Sequence, residues 1–99
     1  MSKQQTLTMG EGISRQRLKA ACDRLKWACE VAPAGQTITA EVYNRVERGV
    51  ARFHPEGFTF PALLKDEATG ELSYDDFEGE WGDAPKMRRQ LNQHLSALS

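Results

Sequence analysis

Three things are scarce in this 99-residue chain: cysteine, long apolar runs, and basic residues between positions 55 and 83. Each scarcity excludes something. The only cysteines are Cys22 and Cys29. They fall in what reads as one helix, about 10.5 Å apart along its axis, whereas a disulfide needs Cα atoms within about 7 Å. An intrachain bond is excluded if that helix forms, and the pair reads as two small buried apolar residues. His54 and His94 are the only histidines, and no finger-like spacing joins them to the cysteines, so no metal and no cofactor are expected.

No apolar run approaches the ~20 residues that span a bilayer, so no membrane association is expected. The opening residues 1–6 lack the apolar segment of a secretory signal, and the expected location is cytoplasmic. Catalytic signatures are missing too. There is no nucleophile elbow, no phosphate-binding glycine loop and no Cys–His pair at a telling spacing. An EF-hand register fails from either starting point, because beginning at Asp66 puts Ala68 and Gly70 where oxygens are needed, and beginning at Asp75 puts Phe77 there. The chain is expected not to be an enzyme.

What is present is a segregation of charge. Residues 55–83 hold nine acids (Glu56, Asp66, Glu67, Glu71, Asp75, Asp76, Glu78, Glu80, Asp83) against Lys65 alone, a local net of −8. Residues 1–54 carry +4 and residues 84–99 carry +3, so the overall −1 conceals a strongly polar molecule. Such a distribution steers partners and sets docking orientation. With 39% hydrophobic and 27% charged residues the composition is that of a globular domain rather than a disordered chain.

The pattern along the chain predicts a flexible N-terminal lead over 1–12 and one α+β domain over 13–99. Ser14 can cap a first helix, whose core stripe Leu18, Cys22, Leu25 and Cys29 runs to Val31 or Ala32 before Pro33. Thr37 or Thr39 can cap a second helix from Ala40 to Phe53, with Val42, Val46, Val50 and Phe53 on its apolar face. Alternation over residues 58–65 and 72–77 predicts a hairpin. Asp83 then caps a C-terminal helix carrying Met87, Leu91, Leu95 and Leu98. The expected architecture is therefore two N-terminal helices, an antiparallel β-hairpin and a C-terminal helix, with the helices packed on one face of the small sheet.

Two surfaces qualify for function. Asp75, Asp76, Phe77, Glu78, Glu80 and Trp81 crowd carboxylates and aromatics together, which suits a protein partner with a basic surface. Arg24, Trp27, Arg45, Arg48 and Arg52 would place arginines and an aromatic on helical faces, a loose helix-turn-helix resembling a nucleic-acid reader. The acidic hairpin would repel phosphate, which weakens that alternative. A homodimer pairing one subunit's acidic hairpin with another's basic helices would fit either reading. The expectation is a small non-catalytic regulatory or adaptor protein, with a nucleic-acid-binding regulator as the alternative.

Overall fold

The computed structural model describes residues 2–6, 12–42, 44–75 and 79–97. Among these residues the chain forms seven strands and two helices, still mixed α and β. The elements run β1 (Ser2–Thr6), α1 (Arg15–Leu25), β2 (Ala28–Val31), β3 (Ile38–Val42), β4 (Arg45–Gly49), β5 (Ala51–His54), β6 (Ala62–Asp66), β7 (Glu71–Asp75) and α2 (Ala84–Ala97). The expected three helices and lone hairpin are thus corrected. One antiparallel sheet has the order β1-β7-β6-β5-β2, and β3 pairs with β4 in a separate two-stranded sheet. No helix among the described residues is long and apolar enough to cross a membrane.

The first correction concerns where α1 ends. Ser14 caps it as its position suggests, with Oγ accepting from the Arg17 amide. The helix stops at Leu25 because Lys26 turns left-handed (φ 61°, ψ 34°) and its amide returns to the Asp23 and Cys22 carbonyls. Glycine usually holds that position. A lysine there leaves no composition signal, and the apolar spacing runs on through it. The chain then reverses into β2, so Cys29 lies on a strand rather than a fourth turn of helix.

The second correction concerns residues 38–54. Val42, Val46 and Val50 satisfy helical spacing, but this stretch is rich in β-branched residues that favour pleated backbone. It forms the tip and the return arm of a long bent hairpin instead, with β2 and β3 on the outgoing arm and β4 and β5 on the return. Val31 pairs with Ala51 and Ile38 with Gly49, so residues 32–37 bulge out opposite Val50 alone. Val50 donates to the Leu64 carbonyl and accepts from Ala32, which fixes the bend. The distal half, β3–β4, thereby folds back over the large sheet.

Three layers result. Leu18, Ala21 and Cys22 of α1 and Met87, Leu91 and Leu95 of α2 pack with Phe53, Ala62, Leu64, Leu72 and Tyr74 in one core. Leu63 points to the opposite face, where it is covered by Ala40 and Val42 of β3. Gly49 permits that covering, since a Cβ there would stand 2.5 Å from the Leu64 carbonyl oxygen and 2.8 Å from Leu63 Cγ. Beside Leu63 the same face is polar. Ser73 Oγ donates to Glu47 Oε2 at 2.5 Å, and Lys65 Nζ lies 3.4 Å from Glu47 Oε1.

One arginine ties three distant segments together. Arg15 donates from Nε and Nη2 to both Glu67 carboxylate oxygens at 2.8 Å. Its Nη1 reaches the Ala32 carbonyl at 2.8 Å and also that of Pro33. The start of α1, the β6–β7 turn and the 32–37 bulge therefore share one guanidinium. This bond holds the Glu67 carboxyl below its ordinary value and raises Arg15.

Candidate protein-interaction site

Two loops meet at one end of the sheet, and glycines make their fit possible. In the first, a turn closes with the Phe58 amide donating to the Pro55 carbonyl at 3.2 Å, with Gly57 at φ 85°. His54 Nε2 donates to the Phe58 carbonyl at 2.5 Å, which sets the neutral ring's proton on that nitrogen. In the second loop, Gly82 adopts φ 151° flat against the Phe58 ring, where a Cβ would meet Cδ1 at 2.5 Å. The Thr59 amide donates to the Trp81 carbonyl at 2.8 Å, joining the loops directly. Phe60 and Trp81 then pack edge to face, centroids 5.5 Å apart at 78°.

Around this joint the acidic character of residues 55–83 comes to the surface. Glu56, Glu80 and Asp83 are exposed, while Phe60 and Trp81 are half-buried. Glu56 and Asp83 line one shallow cavity of about 280 Å³ together with Phe58, Lys86 and Met87. Asp83 also caps α2, its Oδ1 accepting from the Lys86 amide at 3.1 Å.

The acidic residues singled out from sequence divide among different environments. Asp75 is 1% exposed at the end of β7 and belongs to the interior, not to a surface strip. Asp76, Phe77 and Glu78 lie outside the described residues. Glu80 and Trp81 stand on the second loop, as described. Sequence reasoning grouped Asp83 with that pair but missed Glu56 and Phe60 as their neighbours. The signal was the 55–83 charge window itself, whose two ends are far apart in sequence and adjacent in space.

The arginine set is dispersed. Arg24 sits in the last turn of α1, Arg45 and Arg48 on β4, and Arg52 on β5. The helical faces expected to present them as a group are absent beyond α1, because residues 38–54 are strands. Arg52 Nη2 pairs with Glu30 at 2.7 Å across the β2–β5 ladder. Arg45 lies 3.7 Å from Glu47. Trp27 is 6% exposed and stacks on Phe53 with centroids 6.0 Å apart at 8°, so it is core.

Among the described residues, no three His, Cys, Asp or Glu side chains gather in a way that could hold a metal ion. Comparison with known proteins returned no match: no family model, no curated protein and no solved structure is significantly similar to this chain.

Proposed function

We propose that this chain is a small regulatory or adaptor module, without chemistry of its own, that binds a protein carrying a basic surface. The contact is the joint between residues 55–60 and 79–83. One observation carries this reading: exposed Glu56, Glu80 and Asp83 lie on the same two loops as the half-buried Phe60–Trp81 pair, and a backbone hydrogen bond locks those loops together. Carboxylates around an aromatic anchor supply both halves of a protein interface. Charge accelerates and orients encounter, and a desolvated tryptophan dominates the energy of what forms. The preorganised loops also lose little entropy on binding.

The nucleic-acid alternative draws less support. Its stacking tryptophan is buried and its arginines lie on three separate elements. Both readings separate in one experiment. Tagged protein is captured from native lysate with and without nuclease, at low and moderate salt. The wild type is compared with an E56K/E80K variant and an R45A/R48A variant, and sedimentation monitors self-association. A stoichiometric protein that survives nuclease, is lost with E56K/E80K and is kept with R45A/R48A supports the proposal. Loss with the arginine variant alone, or recovery of nucleic acid only, overturns it.

A further inference from the structure

The five-stranded sheet ends at β2, whose outer side pairs with no strand among the described residues. One hydrogen bond fixes the direction of its backbone groups. The Ala32 amide donates to the Val50 carbonyl, in step with the register that sets Val31 opposite Ala51. Amides and carbonyls alternate in direction along a strand, so those of Ala28 and Glu30 also turn toward β5. Those of Cys29 and Val31 point out of the sheet. The edge thus offers the Cys29 and Val31 donors and acceptors in strand geometry.

Side chains on both faces of that edge suit an extended partner. Cys29 and Val31 pack against the main core yet are only half-buried, as is Leu25 at the end of α1. The apolar layer stops short at this margin. Ala28 and Glu30 face the other way and are exposed. Glu30 stands opposite Arg52 and Arg52 opposite Leu63, so this is the face that β3 covers at Leu63. Beyond that cover lies a cavity of about 450 Å³ lined by Glu30, Arg52, His54 and Pro61. Arg52 Nη2 engages Glu30 Oε2, which leaves Oε1 to a second cation. A second copy of the chain is a poor occupant. Pairing two copies antiparallel, Cys29 against Val31, sets Glu30 beside Glu30, and like charges directly opposed destabilise a ladder.

We propose that the outer edge of β2 takes an extended segment of another protein as an added strand, with apolar residues on its core-side face and a lysine or arginine on the other. Backbone hydrogen bonds to Cys29 and Val31 supply affinity, and alternate side chains supply specificity. The apolar ones continue the core layer past Cys29 and Val31, and the cation meets Glu30. This site uses none of Glu56, Glu80 and Trp81, so it stands or falls apart from the loop joint proposed above.

The test uses the native chain and a short, end-blocked synthetic peptide of alternating valine and lysine. Amide hydrogen exchange followed by NMR is the readout. The Cys29 and Val31 amides should slow on adding peptide, with shift changes centred on residues 28–32. Replacing the peptide's lysines by glutamate should weaken binding roughly fivefold, and Glu30→Lys should invert that preference. N-methylation of one alternate set of peptide amides should abolish binding, and methylation of the other set should leave it. Val31→Pro removes an outward amide without touching the β2–β5 ladder and should also abolish it. No slowing at those two amides, equal affinity for both peptides, or binding that survives methylation of either set overturns the proposal. So does slowing that rises with protein concentration alone, which would put a second copy on the edge.

Discussion

The two faces of the five-stranded sheet are covered by different physics, and neighbouring residues show it. Leu63 and Leu64 are adjacent on β6, both fully buried, and point to opposite sides. Leu64 enters the large apolar core beneath both helices. Leu63 clusters with Ala40 and Val42, and the Glu47–Ser73–Lys65 polar set lies beside them on the same face. Dry packing is non-directional and scales with area. A small apolar contact beside a buried polar network instead depends on geometry, because an unsatisfied group there costs more than a satisfied one contributes. The helix face should therefore govern global stability, and the hairpin face should govern whether β3–β4 stays docked.

Substitutions can break that contrast, beginning with the largest effect. Leu64→Ala should cost about 3–5 kcal/mol in denaturant unfolding, and Leu63→Ala about 2–3 kcal/mol, since the thinner cover can collapse onto the smaller side chain. Equal losses would mean that the two faces are alike. Gly49→Ala forces a methyl against the Leu64 carbonyl and should cost about 1–3 kcal/mol. Hydrogen exchange should speed up over residues 38–42 while β6 and β7 keep their protection. Glu47→Ala leaves the Ser73 hydroxyl buried without its acceptor, for about 1–2 kcal/mol, and should loosen the same hairpin amides.

The contrast also shows how far the sequence could be read. Capping residues and apolar stripes were legible wherever a helix packs on the dry face: Ser14, Leu18 and Cys22 in α1, and Asp83, Met87, Leu91 and Leu95 in α2. The β6–β7 turn was legible as well, through Gly70 at φ 74°. On the other face the signal inverted. Val46 belongs to the helical spacing of residues 42–53, yet it is 72% exposed on β4, while Glu47 beside it turns inward to Ser73. No one-dimensional pattern separates an inward glutamate from an outward one. At the candidate site Glu80 and Trp81 were legible as a motif, whereas Glu56 and Phe60 depend on loop pairing across the fold.

Two smaller effects sharpen the comparison at the points where the layers join. Glu67 is held below its ordinary value by Arg15, so it binds a proton less readily folded than unfolded. The stability it contributes is whole above the unfolded value near 4.5 and is lost as pH falls through the lowered folded value. Glu67→Gln should lower Tm at neutral pH and flatten its decline below that point, as read by thermal melts across an acid series. Lys26→Gly should act in the opposite direction. Removing a side chain from left-handed backbone should stabilise by about 0.5–1 kcal/mol, read as a rise in denaturant midpoint.

The pairing of β1 with β7 sets an order of assembly. Ser2 lies opposite Asp75 and Thr6 opposite Glu71, so β1 finds its place only after every later strand of this sheet has been made. Until then β7 has an open edge, with backbone donors and acceptors available to any passing strand. Closing so long a loop is entropically slow compared with forming the adjacent β6–β7 hairpin. The N-terminal strand is therefore the last piece laid along the sheet, and its arrival turns a transiently adhesive edge into an interior ladder.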